Sequence, residues 1–226
     1  MIYQERKIVR EKEGGKCVAS IYELLLGESY QQLHPKLQKR YAITENNSFM
    51  GEGKMDEIDE GSFLVKMLLR VASKFHMFFS ERGKEVPFTI HNIAEEDAKG
   101  NVFVRWNRMF RFDNKKRYFN AVMYLNTKQN EIIDYFGEPH LLVSTLAFYV
   151  DEEGAMHISS KKQWFYILGK KISLPKFLYG EAKVIESYDD VLNCYKIHVQ
   201  VRNPLFGPLF SYKGTFVERD QTRWEI

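Results

Sequence analysis

The sequence predicts an α+β fold that is mostly β: a strongly curved antiparallel sheet or flattened barrel of about ten strands, with N-terminal helices packed on or capping it. Three observations carry this. From residue 86 onward the apolar period changes from 3.6 to 2. The connections there are short and turn-rich (EEDAKG, DNKK, NTKQ, DEEG and YDD), which implies antiparallel hairpins. Several strands alternate cleanly, as where Tyr195, Ile197, Val199 and Val201 oppose Lys196, His198, Gln200 and Arg202. One face is then buried and one solvated, and a long meander with one buried face must curl around a helix or close on itself.

In chain order, residues 1–19 read as a loosely attached charged leader and residues 20–226 as the folded unit, so that 1–226 is one domain. Ser20 stands where an N-cap belongs, with Glu23 three residues on to complete a capping box. Gly27 and the His34–Pro35 step divide the segment that follows into two short helices. A strand at SFMGEGKM precedes a helix over 62–79, whose Leu64, Leu68, Val71 and Phe75 form an apolar stripe. The strands then run over 86–93, 101–112, 117–127, 131–136, 141–150, 155–168, 181–188, 192–202 and 208–218. Pro204, Gly207 and Pro208 set a hairpin turn before the last strand, with Leu205 and Phe206 expected to fold back on the core. Were those two exposed together, a partner or membrane contact would be indicated.

Composition narrows the function. Of 226 residues, 44% are hydrophobic and 15% aromatic, enough for a real core, and the net charge of +3 is too small to mark a nucleic-acid binder. Cys17 and Cys194 form no CxxC, so neither a disulfide scaffold nor a zinc site is indicated. The N-terminus lacks the apolar stretch of a signal peptide, and no run approaches the about 18 apolar residues of a membrane span. The expectation is a cytoplasmic protein without stable membrane insertion.

Motif by motif, the chemistry-bearing patterns fall away. Lys99–Gly100 and Phe103–Val104–Arg105–Trp106 approach an RNA-recognition signature, but Asn101 occupies the first stacking position. Gly51 and Gly53 lack the third glycine of a dinucleotide loop, and they read as a bulge or close helix packing. Asp56, Glu57, Asp59 and Glu60 lack calcium-loop spacing. The six histidines are never i, i+4 partners, and neither a metal nor a cofactor is implied.

One feature of KGNVFVRWNRMFRF resists this. Val102, Val104, Trp106, Phe110 and Phe112 share a strand face with Arg108. A buried guanidinium needs a partner. Either a bulge re-aims it or a carboxylate such as Glu181 or Glu186 pairs with it, or it lies in a cavity and clamps a ligand's anionic head. The candidate ligand-binding residues are Arg108, Trp106, Phe110, Tyr212 and Glu181.

The segments YELLLGESYQQLHPKLQKRY, GEGKM, WNRMF, SLPKFLYGEA and NPLFGPLFSYKGTF resemble the bacterial domain-of-unknown-function family 4166 over about residues 20–218. The matching positions are Leu33, His34, Pro35, Gly51, Gly53, Trp106, Arg108, Pro175, Gly207, Tyr212 and Gly214. The resemblance implies a domain found alone in bacilli or attached to saccharopine-dehydrogenase-like or membrane segments, and it implies no activity. The strand–helix–many-strands order is similar to that of intracellular lipid-binding barrels. The functional expectation is non-enzymatic binding of a hydrophobic or amphipathic, lipid-like small molecule. An accessory or interaction domain for an oxidoreductase or membrane partner is the alternative. An enzyme acting on a bound apolar substrate comes third; it would bring a His or carboxylate to Arg108.

Overall fold

Ten antiparallel strands close into a ring. The computed structural model describes residues 11–12, 15–16, 19–61, 79–113, 115–167 and 169–219. The helix expected over 62–79 lies outside the described residues except at Phe79, as does most of the charged leader. A two-residue ladder joins β1 (Glu11–Lys12) to β2 (Gly15–Lys16). Then come α1 (Ile21–Leu26) and α2 (Pro35–Tyr41), separated by a 3-10 turn over Gly27–Gln32. Ser20 Oγ accepts from Glu23 N–H at 3.1 Å, as an N-cap should. His34 Nδ1 accepts from Lys36 N–H, and Pro35 opens the second helix.

The barrel strands are β3 (Phe49–Glu60), β4 (Gly83–Glu96), β5 (Val102–Phe112), β7 (Ala121–Asn126), β8 (Glu131–Phe136), β9 (Leu142–Val150), β10 (Met156–Ile167), β12 (Glu181–Asp189), β13 (Cys194–Asn203) and β14 (Gly207–Glu218). Each pairs with the next, and β14 returns to β3. Two short strands lie off the ring: β6 (Lys115–Tyr118) on β5 and β11 (Lys170–Ser173) on β10. The closing seam needs glycine. A Cβ at Gly53 would lie 2.0 Å from the Thr215 carbonyl oxygen, and one at Gly214 would lie 2.2 Å from that of Lys54. A bulge between Lys213 and Gly214 accompanies this close approach.

The expected strand over 117–127 is divided into β6 and β7, although both keep one register against β5. The cause is local. Phe119 N–H still donates to the Arg108 carbonyl at 3.0 Å. The Phe119 carbonyl instead accepts from Arg108 Nε at 2.8 Å, and Asn120 Oδ1 takes its place on Arg108 N–H at 3.2 Å. One ladder bond is thus exchanged for two side-chain bonds.

Inside, an aromatic pack fills the side formed by β3, β4, β5 and β14. The Phe110 ring centroid lies 4.7 Å from Phe79, 5.0 Å from Phe88 and 5.3 Å from Tyr212. The N-terminal helices close one mouth. Tyr22 Oη accepts from Trp106 Nε1 at 2.7 Å and donates to Met123 Sδ. Beside it the fully buried Arg40 makes two bonds to Glu186, Nε to Oε2 at 2.7 Å and Nη2 to Oε1 at 3.0 Å. Its Nη1 donates to Asn92 Oδ1 at 2.9 Å, and Tyr41 Oη donates to Glu186 Oε2 at 2.9 Å. Burial alone would weaken the arginine's hold on its proton, but the Glu186 carboxylate more than offsets this and keeps it charged. Outward positions of β13 are charged or polar, the reverse of a lipid-embedded barrel.

Arg40→Met would strand Glu186 in the interior. It is expected to lower stability by about 3–5 kcal/mol in urea unfolding, and adding Glu186→Gln should recover much of that.

Candidate functional site

Opposite the aromatic pack the barrel is not filled. A cavity of about 250 Å³ lies between β5, β7 to β10, β12 and β13. Most of its wall is apolar, with Phe119, Phe136, Leu146, Ile158 and Val199 among its residues. A larger groove of about 530 Å³ runs over the outer face of β3 and β4, but it is edged by the exposed ion pair Lys54–Glu85 and open to water. The inner cavity presents buried charge to an apolar space.

Two opposite charges face that space. Arg108, on β5, is buried, as the alternation predicts. Its Nε is held by the Phe119 carbonyl, its Nη1 reaches Tyr212 Oη at 3.5 Å, and its guanidinium carbon lies 4.0 Å from the Phe119 ring centroid. Among the described residues two of its five N–H donors are so engaged, and the side chain lines the cavity. Asp134, on β8, is buried, and its Oδ1 meets no donor among the described residues. Burial pushes its pKa up to about 7, although the Arg108 charge pulls the other way.

The remaining polar groups of the wall are committed to structure. Between Ser160 and Gln163 the β10 register slips, and backbone pairing with β12 stops at Ser159. Side chains stitch the gap. Gln163 exchanges two bonds with the backbone of Gly180, at 2.7 and 2.9 Å, and Ser160 Oγ accepts from Ala182 N–H at 2.8 Å. Ser144 Oγ donates to the Thr145 carbonyl. Among the described residues no cluster of His, Cys, Asp and Glu is placed to hold a metal.

Of the residues singled out from sequence, Trp106 and Arg108 line the cavity. Phe110 and Tyr212 stand behind them in the aromatic pack, where Tyr212 is the support for Nη1. Glu181 does not belong to the site. It is exposed at the start of β12, because Ala182, Val184 and Glu186 take the inward parity of that strand. Nor does Glu186 pair with Arg108, since Arg40 holds it. Asp134 went unnoticed, although the same parity that reveals Arg108 places it between the inward Ile132 and Phe136.

Comparison with known proteins agrees with this architecture being one family's. The model of the domain of unknown function DUF4166 matches residues 33–216. An uncharacterised protein of Bacillus subtilis (strain 168), YndH, is 48% identical over 204 residues, which is 90% of this chain and 99% of the relative. No solved structure matches. With most of the barrel inside the matched region, including Trp106, Arg108, Asp134 and the glycine seam, the chain belongs to the DUF4166 family.

Proposed function

We propose that the barrel binds a small amphipathic carboxylic acid, without catalysis, acyl chain in the cavity and carboxylate between Arg108 and Asp134. The observation that carries this reading is the buried Asp134, whose Oδ1 meets no donor among the described residues, sharing one apolar space with the buried Arg108. A carboxylate would complete both. Arg108 supplies charge-assisted donors, and a protonated Asp134 donates its own O–H. At about 30 Å³ for a water-sized group, the volume suits a chain of about eight carbons. Asp134 shares the cavity with Arg108, where an enzyme's carboxylate would be expected. Binding is favoured over catalysis because the hydroxyls and the amide of the wall are already engaged by the backbone.

Calorimetric titration with octanoate tests this. Saturable binding is expected, and Arg108→Met should weaken it by about 1.5–3 kcal/mol, roughly 10- to 150-fold, with the fold intact. Arg108→Lys should not restore it, because lysine lacks the planar fork. Absence of saturable binding by the wild-type chain would sink the reading.

Asp134 adds a pH dependence of known sign. Its carboxyl is raised in the folded chain from 3.8 to about 7. The unfolded chain therefore ionises first, and stability falls as pH rises from about 4 to 7 and levels off above. The shift corresponds to about 4 kcal/mol as an upper bound. Asp134→Asn is expected to be more stable than wild type above about pH 7 in urea unfolding, with the gap closing below about pH 4. Octanoate affinity should fall above about pH 7 in the wild type and stay flat in Asp134→Asn.

A further inference from the structure

The end of the barrel away from the N-terminal helices is edged by three turns whose apolar side chains face water. Asn203 ties two of them together. Its Nδ2 donates to the carbonyls of Phe177 (2.9 Å) and Tyr179 (2.8 Å), and its Oδ1 accepts from the N–H groups of Leu205 (2.9 Å) and Phe206 (3.0 Å). This curls the β13–β14 tip outward, so the expectation that Leu205 and Phe206 fold back on the core is wrong: they are 64% and 45% exposed. The third turn carries β11, held close by Leu174 N–H on the Gln163 carbonyl. Ile172, Phe177 and Leu178 are exposed beside the tip to a similar degree. Leu178 also lines the cavity, so the apolar rim and the cavity wall are continuous.

Single apolar residues at a surface are ordinary; a cluster fixed in place by a buried asparagine at the edge of an apolar cavity is not. Charge selects the occupant. The exposed Lys170, Lys171, Lys176 and Arg202 flank the rim, and Glu181, opposite Arg202 in the β12–β13 ladder, offsets one of them. We propose that this end of the barrel docks peripherally on an anionic lipid bilayer. The three tips dip phenylalanine and leucine into the boundary between headgroups and acyl chains, while the lysines and Arg202 reach lipid phosphates. The polar outer strands stay in water, and no described helix is long and apolar enough to cross a membrane. The inference stands apart from what the cavity holds.

Flotation of the full chain with phosphatidylcholine vesicles, alone or with phosphatidylglycerol at about one part in three, tests it. The wild-type chain should float with the anionic vesicles, leave them as salt is raised, and stay behind with phosphatidylcholine alone. Phe177→Ser with Phe206→Ser should lower the bound-to-free ratio about tenfold or more. Lys170→Gln with Lys176→Gln should do likewise, at about fivefold for each cation removed. All four side chains are exposed, so unchanged melting temperatures and octanoate titrations in these variants would show fold and cavity intact. A wild-type chain that ignores anionic vesicles, or variants that bind them as well as wild type, overturns the proposal. Self-association that the Phe variants abolish, without vesicle binding, assigns the face to a second copy and overturns it equally. Vesicle binding that the variants lose, in a chain that takes up no octanoate, upholds docking while the cavity reading falls.

Discussion

Everything about this barrel is arranged around one buried ion pair, Arg40 with Glu186. Each charge taken alone into the interior would cost several kcal/mol, and their attraction offsets that only if the remaining donors and acceptors are met. Here they are met by two bonds between the partners, by Asn92 and by Tyr41. Four aromatic rings, including Phe49 and Phe216, surround the guanidinium at 4.5–5.3 Å. Because Arg40 sits on α2 and Glu186 on β12, the pair can form only when the helices sit in the mouth. The helices are therefore part of the interior, and their Tyr22 in turn fixes the Trp106 indole. With that mouth plugged and one side packed with phenylalanine, the unfilled volume is confined to the far side of the ring.

The broken strand at Phe119–Asn120 shows how the fold accommodates a second buried arginine. A regular ladder would have spent the Phe119 carbonyl on Arg108 N–H, leaving the guanidinium with no fixed partner. The break hands that carbonyl to Nε and lets the Asn120 side chain substitute in the ladder. Both exchanged bonds lie at ordinary lengths, so the rearrangement keeps the hydrogen-bond count whole. What it gains is a guanidinium held at Nε on the wall of the cavity.

How far this could be read from sequence depends on whether the deciding contact is local. Alternation is local, and it placed Arg108 inward and the ring of antiparallel strands in order. The same alternation holds the information for Asp134 and against Glu181, which stand on opposite parities of β8 and β12. Arg40 carried no such signal. Helical spacing puts it on the face of Leu37, but its partner Glu186 lies 146 residues away and only the fold brings it alongside. The outward curl at Leu205 and Phe206 was hidden for a similar reason, since apolarity argues for burial and only the Asn203 side-chain bonds show otherwise.

The two arginines can be weighed against each other within one interior. Where the role is structural, the fold surrounds the guanidinium with a bidentate carboxylate, an amide and a ring of aromatics, and it gives the carboxylate a tyrosine as well. Arg108 receives a carbonyl, a long contact to Tyr212 and the Phe119 and Trp106 rings, while Asp134 on the same cavity wall keeps an oxygen without a donor among the described residues. Burial pushes the Asp134 carboxyl up to about 7 against the pull of the Arg108 charge. A core that needed only packing would be better served by apolar residues at both positions, since an incompletely satisfied buried pair is worse than none. Retaining both charges on the wall of an open cavity makes physical sense when a third polar group completes them, and an anionic headgroup that enters from the apolar rim has the chemistry to do so.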